Sequence, residues 1–143
     1  MYSFGPGSEA NLMQCRPPLQ IVARKVIRIA DHSIVCGRRN RQAQQDAFDA
    51  KLSRAKWGES PHNVEDDELS FALDFVPWPG QYGAGNDQFA YIAGLYIAFG
   101  EALGTPLRWG HDWDRDGVLG KYDPDETLLD LPHIEELNWK ELR

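Results

Sequence analysis

One segment sets most of the folding problem for this chain. Between Asp87 and Leu103, Phe89, Ile92, Ala93, Tyr96, Ile97 and Gly100 recur at three- and four-residue spacing, and Gly104 follows as a stop. That spacing places the apolar groups on one face of a long helix, and the face must be covered by something. The other apolar runs are shorter. Pro17-Pro18 opens a helix at positions where proline loses no hydrogen bond, and Leu19, Val22, Ala23, Val26, Ile27 and Ala30 carry its stripe to an end near Asp31-His32. Arg38 to Ala55 is rich in helix formers, with a modest stripe of Ala43, Ala47, Phe48 and Leu52. Ser33–Cys36, Phe71–Val76, Leu107–Trp109 and Leu128–Leu137 read as strands, the second stopped by Pro77 and Pro79. Residues 1–16, rich in Gly, Ser and Asn, read as an extended arm. The expected fold is a small α+β domain: a short, mostly antiparallel sheet with the helices from 17, 40 and 87 packed around it. No repeat or linker divides the 143 residues, so one domain over 1–143 is expected.

Composition removes several classes of function. The net charge is −7, the opposite of the basic footprint that non-specific nucleic-acid binding requires. No apolar run is long enough to span a bilayer, so membrane insertion is not expected. Met1-Tyr-Ser-Phe-Gly-Pro-Gly7 lacks the basic start and apolar core of a signal peptide, which implies a cytoplasmic product. Cys15 and Cys36 make neither a disulfide framework nor a Cys-rich zinc site, and both are expected to be reduced.

The chemistry-bearing residues fall in two stretches. Ser60 to Asp74 holds His62 and Asp74; Asp130-Leu-Pro-His-Ile-Glu135 holds Asp130 and His133. Two neutral imidazoles and one carboxylate are a common ligand set for a catalytic zinc, with a fourth position left for water. If Phe71–Val76 is a strand, Ala72, Asp74 and Val76 share a face, and the small residues leave room beside the carboxylate. Asp130, three residues before His133, is placed to take a proton from an activated water. The alternative is that each histidine is a structural side chain, since spacing alone does not bring His62, Asp74 and His133 together.

A second acidic group lies in the loop Gly110–Glu126. Asp112, Asp114, Asp116 and Gly117, with Asp123 at the twelfth position, follow the spacing of a calcium-binding loop, in which alternating carboxylates converge on a hard cation. The usual final glutamate is an aspartate here, and flanking helices are not evident. The alternative is an acidic surface loop. Glu65 to Glu68 reads as a solvated acidic run. Trp78, Tyr82, Trp109 and Trp113 are either groove walls or core.

Taken in order, these blocks resemble the zinc peptidases that cut peptidoglycan stem peptides, a family that includes D-Ala-D-Ala carboxypeptidases and the L-alanyl-D-glutamate endopeptidases of phage endolysins. Its Ser-x-His, Ala-x-Asp and Asp/Glu-x-x-His motifs stand here as Ser60-Pro-His62, Ala72-Leu-Asp74 and Asp130-Leu-Pro-His133. Gly37-Arg-Arg39 with Gln44, Phe75-Val-Pro-Trp-Pro79, Phe89 to Gly94, Leu103 to Gly110 and His111-Asp-Trp-Asp114 resemble the phage branch in particular. The likeness runs from about Ser3 to Glu136.

The resemblance implies a Hedgehog/DD-peptidase-like fold, zinc on His62, Asp74 and His133, Asp130 as general base, and Arg39 on the oxyanion or the scissile carbonyl. It implies a peptidoglycan stem peptide as substrate, a monomer, and action on the wall after release from the cytoplasm. D-Ala-D-Ala carboxypeptidase action is the alternative within the class. A non-catalytic wall-binding or virion module of the same fold is the alternative outside it. Arg38, Arg41 and Arg108 are candidate partners for substrate carboxylates. Two departures stand out. The step from His62 to Asp74 is longer than the family pattern, with Val64–Ser70 as an insert expected to loop out. His111 replaces a small residue and either lines the groove or is exposed and idle.

Overall fold

A computed structural model describes all residues, Met1–Arg143. The elements in chain order are α1 (Pro6–Leu12), α2 (Pro17–Val26), β1 (His32–Cys36), α3 (Arg41–Asp49), β2 (Ala72–Pro77), α4 (Asn86–Ala102), β3 (Leu107–Gly110), β4 (Asp130–Glu136) and α5 (Trp139–Leu142). The strands form one antiparallel sheet in the order β1-β2-β4-β3. The α+β expectation therefore holds.

Strand alternation divides the sheet into two faces. Leu73, Phe75, Leu107, Trp109 and Ile134 turn to the core, which α2 and α4 close with Leu19, Val22, Ala23, Val26, Phe89, Ile92, Ala93 and Tyr96. Asp74, Arg108, His133 and Glu135 occupy the alternate positions. The α4 stripe is buried as expected, except that Ile97 lies at its margin.

Three expectations need correction. Residues 1–16 are not an extended arm: Pro6–Leu12 is helical, with proline in its first turn. This helix covers the outer edge of β1, where the Ser8 hydroxyl accepts from Ile34 N and the Asn11 amide donates to Ile34 O. An exposed sheet edge is thereby closed with side-chain groups. The second helix stops at Val26; Ile27 and Ala30 stay buried through the turn that follows, and His32 already belongs to β1. The third helix is only Arg41–Asp49, begun by the Asn40 side chain accepting from Ala43 N and ended near Lys51 at φ 59°. Its apolar stripe is not what it buries. Leu52 is exposed, and Gln44 alone is fully buried.

Both cysteines are free. No helix is long and apolar enough to cross a membrane.

Candidate metal centre

β2 and β4 set two of the three site residues opposite one another, since Asp74 pairs with His133 in the antiparallel register. Directly opposed side chains on one face are near neighbours, so this contact follows from strand pairing. His62 arrives from a loop. Arg39 N donates to His62 O (2.8 Å), a bridge links Arg39 with Asn63, and Ser60 and Asn63 brace the turn. The insert loops out as expected: Glu65–Leu69 is exposed, while Val64 packs with Phe71 and Trp139.

The three ligand candidates converge. His62 Nε2 lies 3.2 Å from Asp74 Oδ1 and 3.2 Å from His133 Nδ1, and His133 Nδ1 lies 3.3 Å from the same oxygen. The far side of each ring is already engaged. His62 Nδ1–H donates to Gly37 O at 2.6 Å, and His133 Nε2–H donates to Glu135 Oε2 at 2.8 Å. These contacts fix opposite tautomers and aim an unprotonated nitrogen of each neutral ring inward. The inward-facing set is then two imidazole lone pairs and a carboxylate oxygen, all acceptors, which fits a divalent cation.

The electrostatics agree with this fit. Burial opposes ionisation of Asp74, but the two histidines outweigh it and hold the carboxyl far below the usual range. Burial likewise opposes protonation of His133; hydrogen bonds to Asp74 and Glu135 prevail and raise it to about 9. His62 moves up for the same reason, chiefly through Asp74. Without a metal the cluster therefore holds protons, which a metal must displace on binding.

Arg39 is half-buried at the rim. Its Nη2 stands 4.0 Å from Asp74 Oδ2, the oxygen turned away from the histidines, and its Nη1 donates to Gln44 Oε1 at 3.1 Å. Gln44 is itself held by Asn63, Ser53 and Ala55. Asp130 is not one of the converging trio. It begins β4 at an exposed position, opposite Gly110. A Cβ at Gly110 would sit 2.2 Å from Asp130 O, so only glycine lets β3 approach this closely. The Asp130 carboxyl is raised, first by burial of its surroundings; His133 opposes the shift and Asp74 adds to it.

The aromatic residues separate into two groups. Trp109 is core, with Nε1 donating to Leu131 O at 2.8 Å. Trp78 and Tyr82 are exposed, and Tyr82 is close enough to Asp74 and Asp130 for their charges to add to the burial that raises its phenol. Trp113 lies beside the site, its ring 5.7 Å from that of His133. His111 is not exposed: it is buried against Trp109, with Nδ1 unpartnered. Of the candidate substrate-carboxylate partners, Arg108 is turned to Glu135, Arg41 to Glu65, and Arg38 to Glu68 O.

The aspartate loop gathers two overlapping clusters, Asp112–Asp114–Glu126 and Asp114–Asp116–Asp123. Glu126, past the twelfth position, was not foreseen. Asp123 is buried, and its Oδ2 has no hydrogen-bond partner. Burial and the charges of Asp114 and Asp116 raise its carboxyl.

Sequence reasoning also missed Glu135 and Gly37 O, the groups behind the two histidines. The alternation of His133 and Glu135 along a strand was a usable signal for the first; a backbone carbonyl leaves none.

Comparisons with known proteins identify the family. The family described as phage L-alanyl-D-glutamate peptidase matches residues 1–137. A protein of Escherichia phage T5 named L-alanyl-D-glutamate peptidase is 31% identical over 121 residues, covering 81% of this chain and 85% of its own. The crystal structure of the Serratia marcescens L-Ala D-Glu endopeptidase ChiX superimposes with a TM-score of 0.73 at 24% identity, over 99% of this chain and 94% of that one, and shows the shared fold. The chain belongs to the phage L-alanyl-D-glutamate peptidase family.

Proposed function

We propose that this chain hydrolyses the amide bond between L-alanine and D-glutamate in peptidoglycan stem peptides, as a zinc-dependent endopeptidase. The observation that carries the metal reading is the convergence of His62 Nε2, Asp74 Oδ1 and His133 Nδ1, with the outer nitrogen of each ring already donating elsewhere. Family membership supplies the substrate.

In this reading His62, Asp74 and His133 hold the zinc. When bound, zinc supplies a Lewis acid and lowers the pKa of a water at its open position. Asp130 takes the proton from the attacking water, and its raised carboxyl makes it a better base than an ordinary aspartate. Arg39, with one nitrogen fixed by Gln44, offers its other donors to the carbonyl oxygen as negative charge develops there. Trp113 shields the His133 ring from solvent on one side.

The aspartate loop is assigned a hard cation, calcium, on Asp114, Asp116 and Asp123, the cluster nearest the spacing read from the sequence, with Asp112 in the neighbouring cluster. The buried, unpartnered Asp123 oxygen supports this, and the ion would order the loop rather than take part in chemistry. The protein acts as a single domain and a monomer, made in the cytoplasm and reaching the wall on release.

The test is mass spectrometry of purified peptidoglycan after incubation with zinc-loaded protein. Fragments with a new amino group on D-glutamate are expected. Loss of a terminal D-alanine would replace this reading with carboxypeptidase action. An unchanged polymer, with zinc bound, would replace it with a non-catalytic wall-binding or virion module.

A further inference from the structure

Behind His133 lies a row of polar side chains, the buried Glu135 and the partly buried Arg108, whose contact with the ring the sequence did not indicate. Glu135 is 2% exposed, and both of its carboxylate oxygens are engaged. Oε2 accepts from His133 Nε2 at 2.8 Å; Oε1 accepts from Arg108 Nε at 2.8 Å and from Arg108 Nη2. The row follows from the sheet. His133 and Glu135 are alternate residues of β4 on one face, and Arg108 of β3 is directly opposite Glu135. Arg108 in turn lies over the Trp113 ring (5.4 Å) and donates to Trp113 O at 3.4 Å. The far side of the Trp113 ring is tied down by Nε1 donating to Leu128 O.

We propose that Glu135, held in place by Arg108, is a positioning residue for the metal centre: it accepts a hydrogen bond from His133 Nε2–H, keeps the proton on that nitrogen, and thereby presents Nδ1 to Asp74 and His62. A carboxylate buried with only one cation opposite it would need no histidine. Here one oxygen goes to the guanidinium and the other to the imidazole, so the group is shared between a charge partner and a ring whose tautomer it selects. The two imidazoles are fixed by different means. His62 is held by a main-chain carbonyl, Gly37 O, and His133 by a side chain. Only the second can be removed by substitution, which makes the idea testable.

The inference rests on the metal reading above, and the experiment separates the two. Zinc affinity is measured by chelator competition for the wild type, Glu135→Ala and Glu135→Gln, together with the visible spectrum of the cobalt-substituted proteins. Glu135→Ala is expected to weaken zinc binding about 10- to 100-fold and to alter the cobalt spectrum. Glu135→Gln, whose amide oxygen still accepts from Nε2–H, is expected to recover most of both. Glu136→Gln is the control. This neighbouring buried carboxylate pairs with Arg16 away from the site, so its loss should lower stability without moving either readout.

Glu135→Ala leaves a partly buried guanidinium without its partner and is at risk of misfolding. The tautomer is therefore also read in the zinc-loaded wild type by long-range proton–nitrogen NMR of the histidine rings, with Nε2 of His133 expected to carry the proton. Wild-type zinc affinity and an unchanged cobalt spectrum in a folded Glu135→Ala would overturn the proposal, as would a proton on Nδ1 of His133. Failure of the wild type to bind zinc would overturn the metal reading, and this one with it.

Discussion

His32 and His133 are buried to nearly the same degree, 3% and 5% exposed, and each lies in a strand of the same sheet with both ring nitrogens engaged. Their chemistry is nevertheless opposite. His32 sits among Phe4, Phe75 and Tyr96; its Nδ1–H donates to Ala30 O, and its Nε2 accepts from the Tyr96 hydroxyl. Every partner is neutral, so burial dominates and pushes its pKa down to about 4. His133 meets the carboxylates of Asp74 and Glu135 and moves up to about 9. Burial by itself does not set a histidine's charge. The carboxylates on the same face of the sheet do.

The sharpest way to break this contrast is to remove one histidine at a time. His133→Ala, Asp74→Ala and His62→Ala are expected to abolish stoichiometric zinc binding and cleavage, while His32→Gln keeps its metal, read by metal analysis after dialysis. Loss of zinc in His32→Gln would erase the distinction. Next in size, Asp130→Asn should retain zinc yet cleave stem peptides about 10²- to 10⁴-fold more slowly. Full activity in that variant would remove Asp130 as the base.

A smaller effect concerns acid stability. The folded-state pKa of His32 lies below its unfolded value of 6.5, so the unfolded chain binds the proton first. Stability from this residue is complete above about pH 6.5 and is lost as pH falls towards 4, by on the order of 3 kcal/mol. Denaturant titrations between pH 7.5 and 4 should show a shallower acid slope in His32→Gln than in the wild type. An unchanged slope would mean that His32 is not held neutral. The smallest effect belongs to the aspartate loop. Calcium at several times its dissociation constant should stabilise the wild type by about 1 kcal/mol, and Asp123→Asn should remove that increment in thermal melts. An equal response in both would free Asp123 of the ligand role.

Much of the site could be read from the chain because strand alternation carries it. Once Phe71–Val76 and the segment around His133 are strands, Asp74 and His133 need only the right register to meet. The α4 stripe was legible for the same reason, a simple period over many residues. What escaped was what periodicity does not encode. Residues 6–12 have few strong helix formers, and α1 is held by the tertiary bonds of Ser8 and Asn11 to Ile34. Gln44 turns inward against its own helix's apolar stripe because Arg39 and Asn63 need an acceptor. His111 gave no signal of its burial, since a histidine between Gly110 and Asp112 reads as loop.

The clamp on His62 has a practical consequence for anyone who wishes to re-engineer this enzyme. The carbonyl that holds the ring belongs to Gly37, and a Cβ there would come within 2.3 Å of Asn11 O and 3.2 Å of Cys15 Sγ. The first dozen residues are thus the backstop of the candidate metal centre. Trimming them, or welding a rigid fusion partner onto α1, would reach the candidate metal centre directly, and the other end of the polypeptide is no freer, since Arg143 donates to Gly58 O and Asn63 O in the loop that carries His62.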